Sequence, residues 1–273
     1  VNPVLSAATS ILAAEGSGDG GFAPPSVEHS FFFDRLSDGS VIASVKAMVL
    51  LVLGVILIIA FFLASARKAA VMPSKMQFAG ESMYGFVRNG IAIEVLGGTA
   101  GKKWAGFLAS MFTFVLVLNL WGIIPFAQMP VNGHFAIPVM LAALVWVVYN
   151  AVGIKKHGFL GYLKLQTVIP GVMPAMHILL IPIEFLSNIL LRPFTLAVRL
   201  FANMFAGHML IGVAATGTIF LLQQGGVGYA LFVLPAAASI FLVFFELLIC
   251  ALQAYVFTLL TAIYLEGSLA DSH

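Results

Sequence analysis

Charge is what this sequence has least of. Only 9% of its 273 residues are Asp, Glu, Lys or Arg, where a soluble domain carries about 25%. That shortage excludes an ordinary water-facing surface over most of the chain. Cysteine is almost absent too: Cys250 is the single one. It rules out an intrachain disulfide and a multi-cysteine metal site within the chain, and in its apolar run packing is the simplest role. No basic patch is interleaved with aromatics, so a nucleic-acid partner has no support. There is no phosphate-cradling Gly-rich loop, no nucleophile elbow and no zinc-ligand spacing. No catalytic residue, cofactor or metal is therefore expected. An internal inverted repeat is also missing, which weakens a secondary-transporter reading.

What the chain has is apolar length. It is 61% hydrophobic with a mean hydropathy of +1.07, so it reads as a polytopic membrane protein. Residues 1–40 are rich in Gly, Ser, Ala and Pro and carry Glu15, Asp19, Glu28, Asp34 and Asp38. They read as a short external arm, with no signal-peptide pattern. Residues 41–273 read as a single membrane domain. The first span covers 41–65, followed by Arg67 and Lys68. Residues 74–96 alternate apolar and polar residues near helical spacing, the pattern of an amphipathic helix on the membrane surface. Spans two and three cover 104–126 and 135–154, and residues 158–171 read as a loop containing Lys164.

From about 172 to 222 the chain is apolar. One upright span needs about 20 residues, so a single long, tilted or kinked helix fits, with Pro182 and Pro193 as kink points. After Gln223-Gln224-Gly225-Gly226 a second such helix covers 229–265. The expected fold class is thus an all-α membrane protein with five crossing helices, one surface helix, and a hairpin of two long helices at the end. Lys and Arg concentrate between spans one and two and after span three. By the positive-inside rule the N-terminus is outside and the C-terminus cytoplasmic.

Polar residues interrupt the two long helices. Glu184, Asn188, Arg192, Thr195, Arg199 and Asn203 are spaced 4, 4, 3, 4 and 4. In an ideal α-helix they share one face and make a stripe roughly 28 Å long. An Arg cannot be deprotonated in a protein, and at membrane depth it costs at least about 2.5–3.5 kcal/mol on insertion scales. A row with a carboxylate and two guanidiniums fits an ion path; a purely polar row would fit interhelical hydrogen bonding. Arg192 also fits snorkelling to the interface. On the last helix Glu246, Gln253 and Tyr264 line up, separated by 7 and 11 residues. Antiparallel pairing would bring His208 and Asn203 towards Glu246 and Gln253. A His–Glu pair suits a proton relay because His titrates near physiological pH; a static pair fixing helix packing is the alternative. His134 and His157 sit at span ends, where solvation is the default. His177, seven residues before Glu184, either extends the stripe or does not. Asn119 in span two either belongs to the path or bonds a neighbouring helix.

Three stretches carry a resemblance. Arg199-Leu-Phe-Ala-Asn203-Met-Phe-Ala-Gly-His208, the run from Leu252-Gln253 to Tyr264-Leu265, and Asn119-Leu-Trp-Gly-Ile-Ile-Pro125 resemble subunit a of the F-type ATP synthase, the membrane-motor proton-channel stator. In topology the likeness runs from about residue 41 to the end. It implies no active site of the chain's own, and as partners a ring of c subunits, the peripheral-stalk b subunits, the rest of the complex and the lipid bilayer. The acidic arm and the lack of a transit peptide fit a bacterial plasma membrane, though an organelle-encoded chain would lack a transit peptide too. The resemblance implies that Arg199 faces the ring carboxylates and blocks direct proton passage between two half-channels. Asn203, His208, Glu246 and Gln253 would line the outer half-channel, with the His and Glu exchanged relative to many members. Glu184 and Ser187 would belong to the cytoplasmic one. Glu184 stands nine residues before Pro193 where the family pattern implies eight, so its orientation matches only with a local bulge in the helix. At Gly122 some members carry an acid. Two other readings predict different behaviour. A self-contained channel or transporter conducts in liposomes alone, and a structural anchor tolerates neutral substitutions at Arg199, Glu184 and Glu246.

Overall fold

The computed structural model describes residues 38–67, 73–124, 131–167, 174–224, 226 and 228–270, and the elements among them are all helical. The arm expected over 1–40 lies outside them except for 38–40, which begin the first helix. In order the elements are α1 (Asp38–Ala66), α2 (Lys75–Val87), a π-helical turn (Arg88–Ile93), α3 (Glu94–Leu96), α4 (Gly98–Ile123), a 3₁₀ turn (Val131–Gly133), α5 (Ala136–His157) and α6 (Phe159–Thr167). Then come α7 (Pro174–Phe185), a second π turn (Leu186–Leu191), α8 (Arg192–Gln224), α9 (Gly228–Leu231) and α10 (Val233–Leu269). Among the described residues five helical segments are long and apolar enough to cross a membrane: Met48–Ala66, Gly98–Ile123, Ala136–His157, Leu179–Gln224 and Val233–Leu269.

The described helices divide between two compact units, one of 47–204 with 248–270 and one of 205–247 with 38–46. In the larger unit the cores follow helical periodicity. On α4 the buried row is Gly101, Ala105, Leu108, Phe112, Val115, Asn119 and Gly122. On α5 it is Pro138, Leu141, Ala142, Val145, Tyr149 and Gly153. The C-terminal part of α10 buries Cys250, Gln253, Ala254, Phe257, Thr261, Leu265 and Ser268. The stretch expected on the membrane surface starts at Ser74, whose Oγ accepts the Gln77 N–H at 3.3 Å. It buries Val87, Ile91 and Ala92 completely, against α4. Gly97, with φ +81°, ends it and turns the chain into α4. A side chain at Gly101 would strike the Ala92 carbonyl, so the two helices approach here only because that position has no Cβ.

The loop expected over 158–171 is in part a helix. Gly158 (φ +72°) stops α5, and α6 follows at once. Its signal was the helical spacing of Tyr162 and Gln166, both buried. Tyr162 packs over Gly153, where a Cβ would overlap the ring. In the smaller unit α8 runs to Gln224, Gly226 (φ +54°) turns the chain, and Gly228 lies against the Leu221 carbonyl with no room for a Cβ.

Candidate functional site

Most of the polar residues of the long helices belong to the larger unit. The row from Glu184 to Asn203 is not one α-helical stripe. The π turn at Leu186–Leu191 splits it, with the Arg192 N–H reaching back to the Ser187 carbonyl. A π turn adds a residue to the helical cycle, so residues before it rotate relative to those after it by about one residue's 100°. Asn188 is accordingly buried at 9% exposure, whereas Thr195, Arg199 and Asn203 are exposed. The bulge lies between Glu184 and Pro193, where the nine-residue spacing called for one.

Glu184 is half-buried, and its Oε2 accepts Asn188 Nδ2 at 3.0 Å. The same amide nitrogen donates to the Gln166 carbonyl at 2.7 Å. Both protons of the Asn188 amide are thus used, and the carboxylate is tied to α6 through it. Ser187, half-buried in the π turn, contributes the carbonyl already described. The His177 side chain lies outside the described residues. Arg192 places its guanidinium 5.3 Å from the centre of the Tyr264 ring, a cation–π geometry. Tyr264 in turn packs on Tyr149 with ring centres 5.7 Å apart. Arg199 is exposed, and among the described residues no carboxylate forms an ion pair with it.

One turn on, Asn203 Nδ2 donates to Gln253 Oε1 at 2.6 Å. Gln253 is 4% exposed and its Nε2 has no partner. Asn119 bonds neighbouring segments: its Nδ2 reaches the Cys250 carbonyl at 3.5 Å, and its Oδ1 accepts Asn132 Nδ2 at 2.6 Å. Asn132 is wholly buried and its Oδ1 is unsatisfied. Two buried amide atoms without a protein partner thus stand beside one polar cluster, and buried polar groups of this kind call for a partner such as water.

In the smaller unit Glu246 is 3% exposed and its Oε1 has no partner. It packs on Gly207, where a Cβ would lie 2.9 Å from that oxygen. His208, half-buried, is the next residue on α8. Five residues that the sequence pattern did not single out take part here: Asn132, Tyr149, Gln166 through its carbonyl, Gly207 through its lack of a Cβ, and Trp146, whose Nε1 donates to the Ile189 carbonyl. Gln166 had a signal in its helical spacing from Tyr162, and Gly207 stood within the quoted motif without being singled out. Groups of His, Cys, Asp and Glu able to hold a metal are absent among the described residues.

The fold and these groups define a multi-pass all-α membrane protein with ionisable side chains at membrane depth. The ATP synthase A chain family model matches residues 47–266. An ATP synthase subunit a from Nocardioides sp. is 45% identical, over 98% of this chain and 99% of that one. One from Pseudarthrobacter chlorophenolicus is 44% identical, over 96% and 98%. Another, from Streptomyces lividans, is 43% identical, over 93% and 90%. The chain belongs to the ATP synthase A chain family.

Proposed function

We infer that the chain is the proton-conducting stator of an F-type ATP synthase, offering two offset half-channels to the carboxylates of a rotating c ring. The observation that carries this reading is Arg199. A permanent cation stands exposed in a span, without an acidic partner among the described residues. Such a charge is too costly to leave facing hydrocarbon, so its counter-charge belongs to another chain. A ring of carboxylates arriving in turn answers that need. Each would be drawn to Arg199 when deprotonated, and the fixed charge would repel a proton attempting to cross directly.

In this reading Asn203, Gln253 and Asn119 are entry-side residues, and so are His208 and Glu246. The unsatisfied amides of Asn132 and Gln253 support it, because bulk water arriving at them removes their desolvation cost. Glu184, Ser187 and Asn188 make the exit side. His177 and Tyr264 lie along the same helices. The membrane potential drives the transfer, with about 2.3 kcal/mol per charge per 100 mV. The c ring and the peripheral-stalk b subunits are the direct partners, in a bacterial plasma membrane with the C-terminus cytoplasmic. Lys156, in the basic last turn of α5, donates to the Leu269 carbonyl at the end of α10. That bond supports both ends lying on the same, Lys-rich side.

The test is ATP-driven proton uptake in inverted vesicles carrying Arg199→Ala, with assembly of the complex measured in parallel. Pumping is expected to be lost in complexes that still assemble. Pumping near the normal rate would remove Arg199 as the gate and redraw the roles along both long helices.

A further inference from the structure

We propose that Trp146 and Tyr149 on α5 are positioning residues for Glu184, acting by holding open the π turn that aims it. The proposal rests on the exit-side reading of Glu184. Its ground is an accounting of backbone donors. In an α-helix the carbonyls of Asn188 and Ile189 would accept from residues 192 and 193. The Arg192 N–H is diverted to Ser187 by the π turn, and residue 193 is proline, which has no N–H. Both carbonyls therefore lose their α-helical donor. A backbone carbonyl buried within a span, as that of the buried Asn188 is, cannot be left without a donor except at a large cost.

Two side chains supply the missing donors. Trp146 Nε1 donates to the Ile189 carbonyl at 2.8 Å, and the Tyr149 hydroxyl donates to the Asn188 carbonyl at 3.3 Å. They stand three residues apart on one face of α5, as i, i+3 neighbours do. Tyr149 is 2% exposed. The carbonyls they hold belong to the same residue, Asn188, whose amide grips Glu184, and to the one after it. The chain of positioning is therefore short: α5 fixes the π turn, the π turn fixes Asn188, and Asn188 fixes the carboxylate. Pro193 makes the bulge permissible, and the two α5 donors keep it from being an unsatisfied break in the helix.

Bulk and hydrogen bonding can be separated at Trp146. Its ring also lines an apolar groove of about 380 Å³ with Leu190 and Pro193, so a role in packing alone is the rival explanation. Trp146→Phe keeps a ring and loses the N–H. Trp146→Gln loses the ring but carries an N–H donor the same number of bonds from Cα as the indole nitrogen. If the bond to Ile189 matters, ATP-driven proton uptake per assembled complex falls about threefold to tenfold in Trp146→Phe, the range of one lost hydrogen bond, and Trp146→Gln stays closer to the parent. If Trp146→Phe pumps normally, or pumps better than Trp146→Gln, the proposal is overturned.

The second arm places the effect on Glu184. In a Glu184→Gln background, Trp146→Phe is expected to cost nothing further. Should Glu184→Gln slow pumping and Trp146→Phe multiply that loss in full, the positioning role falls while the exit-side reading survives. Should Glu184→Gln pump normally, the exit-side reading falls and takes this inference with it. If Trp146→Phe does not assemble, Tyr149→Phe, which loses one hydroxyl and keeps its ring, goes through the same cycle. About a twofold loss that disappears in the Glu184→Gln background is expected there, and a normal rate overturns the proposal.

Discussion

Glu184 and Glu246 stand well inside the two long spans, and they are treated in opposite ways. Glu184 is half-buried and held: Asn188 donates to it at 3.0 Å and is itself anchored on the Gln166 carbonyl. Glu246 is 3% exposed, and its Oε1, beside Gly207, has no hydrogen-bond partner among the described residues. A buried acid atom without a partner costs about 1–3 kcal/mol or more, so nothing in packing alone recommends it. The contrast separates an acid whose position is fixed by protein from an acid with an oxygen left for something mobile. On the proton-conducting reading that something is water or a proton. Glu246 is then the group that must change state in each turnover, and Glu184 the group that must be in the right place.

The sharpest way to break this contrast is Glu246→Gln, which preserves size and removes the exchangeable charge. ATP-driven proton uptake per assembled complex should fall by at least about tenfold, at the low end of what a lost proton-transfer group costs. Unchanged pumping would make Glu246 a static packing residue.

Next in size is Gly207→Ala. Its Cβ would lie 2.9 Å from Glu246 Oε1, 3.0 Å from Cδ and 3.2 Å from Cγ. Something must shift, and such overpacking typically costs about 1–3 kcal/mol. Pumping should drop several-fold, and Glu246→Asp, one methylene shorter, should recover part of the loss in the Gly207→Ala chain though it impairs the parent. Failure of that recovery would mean that Gly207 matters for some reason other than the room it leaves the acid.

Glu184→Gln should be milder, about threefold to tenfold. The amide still offers Asn188 an acceptor oxygen, so the side chain stays where it is and only its proton exchange is lost. If Glu184→Gln costs as much as Glu246→Gln, the distinction between a placed acid and a titrating acid fails.

The sequence made one of these acids much easier to read than the other. Glu246 stands in a regular α-helix, so its alignment with Gln253 followed from counting, and both are buried. Glu184 stands before a π turn, so counting at 3.6 residues misplaces it by about one residue's 100° relative to Arg199. Only the odd spacing to Pro193 hinted at the bulge. The donors that stabilise the bulge were invisible, because Trp146 and Tyr149 look like ordinary residues of an apolar span. Their function is set by two carbonyls some forty residues away, and backbone groups leave no trace in side-chain chemistry. Helix existence was legible for the converse reason, since it depends on local apolar length. Gly207 is an intermediate case: it was quoted as part of a motif, but its reason is the carboxyl group packed against it.

The smallest effect belongs to a titratable group outside both long helices, and it tests what burial does without a transport role. His134 precedes α5, is half-buried, and has its pKa lowered from 6.5 by desolvation. With the folded value below the unfolded one, the unfolded chain binds more protons between the two, so stability rises with pH across that window. As pH falls below about 6.5 the native state is progressively penalised, and the penalty is complete once the folded value is passed. In the purified complex, the thermal midpoint of this chain should therefore fall slightly between pH 7 and pH 5, and His134→Gln, which carries no titrating proton, should remove that part of the fall. Proton uptake at pH 7.5 should be the same in both, because His134 is neutral there in either state. A large loss of pumping in His134→Gln would instead move His134 from the margin of the protein into the entry path beside Asn132.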